Sequence, residues 1–268
     1  MIPSIATVTL GESLASRLTA AAEAGFQTVE LFDTDLEVFG GDTAQLKQLL
    51  RDTGLSPASY FPLREVEGAP SATRQATRYR CAKYLDHAAE LGAPMVMMCC
   101  ATGEDMMGER ARILDDLGHL ADQAKARDLR IAYEAIAWGK HLYDYRDAAS
   151  LVSDLQHPNF GLVLDSFHIF ARELPLENIA RIPAEQLFLV QVSDALRLDL
   201  SYLEWSRNHR TLPGRGVFDL AAFTQQVRNT GYNGVFSLEC FSDELKKEAP
   251  DDVAKAGFAA LAELWSRL

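Results

Sequence analysis

Short apolar runs recur along this chain, and a longer stretch with helical periodicity separates each from the next. Ile5 to Leu10, Thr28 to Leu31, Leu55 to Tyr60 and Met95 to Cys100 read as the first four strands. Helices are expected between them: from Ser13 to near Gly25, from Thr43 to Thr53 before Gly54, and from Ala72 to Leu91 before Gly92. Glycine is what a left-handed C-terminal cap prefers, so these helix ends are marked in the chain itself. The pattern continues with helices at Glu109 to Asp128, Asp147 to Leu155, Leu176 to Ile182 and Leu220 to Thr230. These lead to strands ending at Glu134 and Asp165 and to strands at Leu187 to Val192 and Val235 to Cys240, and a closing helix is expected from Asp252 to Leu268.

Parallel strands joined by helices take right-handed crossovers, which put the helices outside and the strands inside. Eight such units in 268 residues predict an α/β chain folded as a (β/α)8 TIM barrel, with one domain spanning residues 1–268. An open, doubly wound sheet is the alternative. It is disfavoured because no Gly-x-Gly-x-x-Gly follows the first strand.

The strand ends carry the chemistry. Glu134, Asp165, Gln191 and Glu239 each stand where an apolar run gives way to a loop, and a parallel barrel brings all carboxyl ends of its strands to one face. Any one of them alone reads about as well as the start of a solvated loop, but four on consecutive strands argue for convergence. Three carboxylates and an amide oxygen suit a hard divalent cation, magnesium, manganese or cobalt, better than a tightly held zinc. His168 follows Asp165 by three residues, so a helical turn there would put both side chains on one side. Alone it reads equally as a packed or capping histidine; beside a metal it suits proton transfer near neutral pH. The other histidines, His87, His119, His141, His157 and His209, form no ligand spacing and read mostly as surface residues.

The longest loop, Ser193 to Phe218, holds Ser206, Arg207, His209, Arg210 and the run Leu212-Pro213-Gly214-Arg215-Gly216. A loop of that length in a compact domain is usually functional or mobile. Arg64 and Arg210 are expected to face the barrel mouth, where guanidinium forks would bind a small-molecule carboxylate; for either alone, a solvated surface arginine is an equal reading. Glu104 and Ser206 are candidates for contacts to substrate hydroxyls, and Trp138, Trp205 and Phe167 for an apolar wall.

Composition narrows the partners. The net charge of -12, with no basic block, disfavours nucleic acid and anionic membrane surfaces. Nowhere do 18 apolar residues run together, and the start lacks a basic segment followed by a long apolar one, so neither a membrane span nor export is expected. The four cysteines, Cys81, Cys99, Cys100 and Cys240, lie mostly in strand-like runs and read as those of a reduced cytoplasmic protein. Apolar residues between Phe258 and Leu268 could pack on the barrel or on a second subunit, as in a homo-oligomer.

Taken together, Tyr133-Glu134-Ala135, Leu164-Asp165-Ser166-Phe167-His168, Val190-Gln191-Val192-Ser193-Asp194, His209-Arg210-x-Leu212-Pro213-Gly214-x-Gly216 and Ser237-Leu238-Glu239 resemble the xylose-isomerase-like superfamily of metal-dependent barrels over nearly the whole chain. Glutamine at 191, where many relatives have histidine, together with Asp165-Ser166-Phe167-His168, resembles the quinate-catabolic 3-dehydroshikimate dehydratases. That resemblance implies a hydro-lyase converting 3-dehydroshikimate to 3,4-dihydroxybenzoate (protocatechuate). It also implies a divalent metal on Glu134, Asp165, Gln191 and Glu239, and His168 as a proton-transfer residue. Arg64, Ser206 and Arg210 would be substrate contacts. A sugar or inosose isomerase, epimerase or dehydratase of the same superfamily is the nearest alternative; it would keep the metal but would not need arginines for a carboxylate. Bacterial relatives of the dehydratase group often carry a second domain resembling hydroxyphenylpyruvate dioxygenase, and nothing after Leu268 supplies one.

Overall fold

Alternation along eight parallel strands decides which side chains enter the middle of the molecule. In the computed structural model, which describes residues 1–266, the strands are β1 (Ile2–Ala6), β2 (Thr28–Phe32), β3 (Ser56–Leu63), β4 (Met95–Cys99), β5 (Arg130–Glu134), β6 (Phe160–Asp165), β7 (Leu187–Val192) and, after a short two-stranded excursion, β10 (Val235–Leu238). They close into a barrel in the order β1-β10-β7-β6-β5-β4-β3-β2, as the strand and helix pattern predicts. The helices are α1 (Leu14–Ala24), α2 (Asp33–Glu37), α3 (Thr43–Thr53), α4 (Arg74–Leu91), α5 (Arg110–Lys125), α6 (Tyr145–Leu155), α7 (Ser166–Ala171), α8 (Tyr202–Asn208), α9 (Leu220–Asn229) and α10 (Pro250–Ser266).

Two apolar layers follow from the period of two. Ile131, Tyr133, Leu162, Leu164, Val190, Phe236 and Leu238 face the helices and join the main core. Ala132, Val163 and Leu189, with Phe61, Met95 and Met97, form a small cluster of their own inside the barrel. One residue beyond Ala132 in the same phase is Glu134; beyond Val163, Asp165; beyond Leu189, Gln191. The register puts Asp165 opposite Gln191 and Gln191 opposite Ser237. The strand phase that packs the core therefore aims the polar residues inward at the mouth. Cys99 and Cys100 divide as neighbours on a strand should: Cys99 Sγ approaches Glu134 Oε2 at 3.3 Å, and Cys100 Sγ approaches the Leu142 carbonyl.

Several boundaries differ from those read in the sequence. The first strand is Ile2–Ala6, and Thr7–Thr9 form a 3-10 turn, because Thr9 Oγ1 donates to the Leu238 carbonyl and accepts from Cys240 N–H. Those bonds bend the chain over the end of β10. The expected helix at Leu176 to Ile182 is only a 3-10 turn, Ile179–Arg181. Pro183 follows directly, and the residue before a proline is pushed out of helical conformation. The final helix starts two residues early, and the expected end of it, Arg267 and Leu268, lies outside the described residues. Phe258 of this helix sits edge-on to Phe26, with ring centroids 5.3 Å apart, and Trp265 packs on Phe236. That part of its apolar surface covers this chain's own barrel.

The loop after β7 is not open coil. It contains β8 (Asp194–Ala195), α8 and β9 (Arg210–Thr211), with β8 and β9 antiparallel. The Asp194 carboxylate accepts from Gly214 and Phe218 N–H, both at 3.0 Å, and so ties the proline-glycine run down. A Cβ at Gly216 would lie 2.2 Å from Asp194 Oδ1 and 2.5 Å from the Ala195 carbonyl oxygen, so only glycine fits. This tied loop returns Arg210 to the barrel mouth.

Candidate active site

Glu134, Asp165, Gln191 and Glu239 meet at the carboxyl ends of their strands, all buried. Arg210 Nη1 lies between two of them, 2.7 Å from Asp165 Oδ2 and 2.9 Å from Glu239 Oε2. Gln191 Nε2 is 3.3 Å from Glu239 Oε1 on one side and 3.1 and 3.2 Å from the two oxygens of Glu30 on the other. Two atoms of the group have no partner: Glu134 Oε1 and Gln191 Oε1 are buried and receive no hydrogen bond. Buried oxygens are rarely left so unless something outside the protein uses them.

Electrostatics point the same way. Burial pushes the Glu134 carboxyl well above the usual range, and the charges of Asp165 and Glu239 add to that. Burial also raises Asp165, against the pull of Arg210, and brings Glu239 up to about 8. A divalent cation among these oxygens would relieve their mutual repulsion and take the two unpartnered atoms as ligands. Donor atoms of Glu134, Asp165 and His168 lie within 4.8 Å of one another, a group able to hold a metal ion.

His168 is set by α7, which begins where β6 ends. Asp165 caps this helix, its Oδ1 accepting from Phe167 N–H at 2.8 Å, and the turn brings His168 over the site. The ring Nδ1 accepts from Ala137 N–H at 3.2 Å, while Nε2 faces Asp165 Oδ2 at 3.5 Å and Glu134 Oε1 at 3.6 Å. Burial holds its pKa well below the usual histidine value, with Arg210 and Arg207 adding to the effect. A neutral ring with Nδ1 accepting carries its proton on Nε2, so the 3.4 Å approach of Arg210 Nη2 to that atom is proximity and not a hydrogen bond.

The remaining expected residues divide. Ser206 is buried in the wall, its Oγ accepting from Arg210 Nη2 at 2.7 Å. Arg210 spends every guanidinium nitrogen on protein groups, Nε going to the Ser206 carbonyl, so it braces the site and is not held ready for a free carboxylate. Arg64 stays partly exposed, 3.3 Å from Asp33 and over the Phe32 ring. Glu104 does not reach the pocket: its side chain is 90% exposed and ion-paired with Lys140. The Glu65 carboxylate clamps Thr102 and Gly103 N–H just before it, leaving Glu104 turned to solvent. Of the three aromatics expected as a wall, Trp138 lines the pocket together with Phe32, Phe61 and Phe241. Phe167 and Trp205 lie behind, Phe167 under the Arg210 guanidinium and Trp205 against Phe167.

Two polar residues at the site escape the strand-end rule. Glu30 sits inside β2, within Thr28-Val29-Glu30-Leu31-Phe32, and accepts from Ser59 Oγ at 2.8 Å as well as from Gln191. A charged residue in the middle of an apolar run was its signal. Arg207 lines the pocket one position after Ser206, and nothing in a single sequence separates it from the other loop arginines.

Comparison with known proteins agrees with this architecture. The chain is 38% identical over 261 residues to a 3-dehydroshikimate dehydratase of Pseudomonas putida, covering 97% of this chain and 41% of that protein. With the 3-dehydroshikimate dehydratase of Pseudomonas aeruginosa it shares 41% identity over 240 residues, 90% of this chain and 38% of the other. A solved xylose isomerase-like TIM barrel/4-hydroxyphenylpyruvate dioxygenase fusion protein superposes with a TM-score of 0.95 at 38% identity, over 98% of this chain and 42% of that one. The chain thus spans about two fifths of the length of these relatives. The profile of the xylose isomerase-like TIM barrel family matches residues 18–264, and with the closed parallel barrel in hand the chain belongs to that family.

Proposed function

We propose that this chain removes water from 3-dehydroshikimate to give 3,4-dihydroxybenzoate, with a divalent cation held by Glu134, Asp165, Gln191 and Glu239. The observation that carries this reading is the pair of buried, unpartnered oxygens, Glu134 Oε1 and Gln191 Oε1, at the meeting point of four strand ends. Similarity to two dehydratases over most of this chain's length supports the choice of reaction. Carboxylates and a neutral amide oxygen favour magnesium, manganese or cobalt.

The substrate has a ketone, then a carbon bearing hydrogen and hydroxyl, then a carbon bearing the hydroxyl that leaves. A bound cation would polarise the ketone oxygen and so acidify the neighbouring C–H. His168 presents an N–H to the pocket at Nε2, 3.6 Å from Glu134 Oε1; it would give that proton to the departing hydroxyl as it takes back the one a carboxylate removes from carbon, so water leaves and the ring is again neutral. Glu134 and Glu239, on the pocket floor, are the acceptors for the carbon-bound proton. Loss of a second ring proton to the ketone oxygen completes the aromatic product, and one water leaves in all. Trp138, Phe32 and Phe241 keep the ring in an apolar slot.

Product identification tests this directly. Incubation with 3-dehydroshikimate and manganese is expected to yield 3,4-dihydroxybenzoate by NMR, and inosose offered under the same conditions is expected to remain unchanged. Conversion of inosose with no aromatic product from 3-dehydroshikimate would overturn the proposal.

A further inference from the structure

We infer that Arg207, the residue after Ser206 on α8, is the anchor for the carboxylate of the substrate. The inference rests on the dehydratase reading for the identity of the acid, and on geometry for the place. Three arginines surround the mouth, and two are committed. Arg210 is paired with Asp165 and Glu239, and Arg64 with Asp33. Among the described residues Arg207 has neither an ion pair nor a hydrogen bond. It is half-buried all the same. Its nitrogens keep contact with solvent, so the fork can exchange water for an anion without breaking a protein contact.

What holds Arg207 is an aromatic ring. Its guanidinium carbon lies 4.8 Å from the Phe241 centroid. Arg64 takes the same pose 5.6 Å over Phe32, and the two rings meet edge to face at 5.9 Å. A guanidinium stacked on a ring keeps its N–H edge free, and that edge is the fork that matches a carboxylate. Burial and the nearby charge of Arg64 both work against the positive charge of Arg207, and an anion beside the two would offset this. The same pocket is lined by Arg207 and by Glu134, His168 and Glu239. A ring acid lying in it could therefore put its carboxylate on Arg207 while its oxygenated carbons reach the strand ends. This also explains why Arg210, though arginine, is not the acid's partner: it is consumed in bracing the site.

Binding of 3,4-dihydroxybenzoate and of its neutral methyl ester to the manganese-loaded chain, measured by calorimetry, separates this role from any other. The two ligands share the catechol, so metal affinity and apolar packing act on both alike. The parent is expected to prefer the acid by about tenfold or more, the scale of one charge-assisted pair. Arg207→Gln is expected to bring the two affinities within about twofold of each other. A parent without preference for the acid, or a variant that keeps it, overturns the inference. If circular dichroism shows the glutamine variant unfolded, Arg207→Met, which keeps an apolar stem over Phe241 but carries no charge, is expected to lose the preference, and retention overturns the inference. Turnover of 3-dehydroshikimate is read separately: an acid preference that depends on Arg207 in a chain with no turnover sinks the dehydratase proposal and leaves the anchor standing.

Discussion

Gln191 places its amide nitrogen 3.1 and 3.2 Å from the two carboxylate oxygens of Glu30, and its amide oxygen is left buried with no protein partner. An amide can turn over at little cost unless its nitrogen is held, and here Glu30 and Glu239 hold it from two sides. If Gln191 Oε1 is a metal ligand as proposed, Glu30 supports the metal through Gln191 without touching it. Glu30→Ala is expected to weaken manganese binding by about 10- to 100-fold, the usual effect of losing such a support. Titration of the stripped protein followed by electron paramagnetic resonance measures it, and an affinity within twofold of the parent would remove Glu30 from this role.

Arg210 is the cation that pairs with the buried carboxylates at the strand ends. Its loss leaves Asp165 and Glu239 without their counter-charge. Arg210→Ala is expected to lower stability by about 3–5 kcal/mol, the range for breaking a buried pair. Manganese should return part of this, because it binds the folded chain only. Urea unfolding with and without the ion checks both. A loss below about 1 kcal/mol would mean that the carboxyls are protonated and neutral without Arg210.

His168→Ala is expected to reduce turnover by roughly 10²-fold or more, as for other general acid-base groups. Manganese affinity should change little if Glu239 is the fourth ligand. A large loss of affinity would instead make His168 a ligand, since its ring nitrogen shares a 4.8 Å cluster with Glu134 and Asp165.

Glu67 offers a pH test away from the strand-end carboxylates. Its Oε1 accepts from Ala101 N–H at 2.6 Å and Tyr133 O–H at 2.9 Å, its Oε2 is buried without a partner, and burial pushes its pKa up to about 7. A raised folded value means that the folded state holds the proton longer than the unfolded one. The contribution is therefore fully present below about pH 4.5 and lost as pH rises through about 7, on the order of 3 kcal/mol in all. Glu67→Gln keeps the acceptor and has no proton to lose. The variant is expected to match the parent near pH 4.5 and to be the more stable of the two at pH 8. Parallel stability curves across that range would contradict the assignment.

Much of this was legible in the chain. Strand ends such as Leu162-Val163-Leu164-Asp165 announce themselves because packing fixes the phase of a buried strand, and the phase fixes where the next polar residue points. Gly25, Gly54 and Gly92 marked three helix ends through their left-handed conformation. Contacts made across the mouth were not legible. Arg210 looked like a substrate contact because nothing local shows that Asp165 and Glu239, 45 and 29 residues away, claim it. Glu104 looked available because its dismissal to solvent depends on Glu65 holding the preceding amides. Phe167 and Trp205 pass for a wall until α7 and α8 are seen to turn them behind His168 and Arg210.

The most direct test of the account joins metal and chemistry in one measurement. The chain stripped of metal, then titrated with manganese in the presence of 3-dehydroshikimate, is followed in the ultraviolet for the aromatic product, beside Glu134→Ala. The parent is expected to be silent without metal and to gain activity in step with manganese occupancy, and the variant to stay silent throughout at the same concentrations. Activity in the stripped parent, or manganese binding by Glu134→Ala as tight as the parent's, would contradict a metal centre built on the four strand ends.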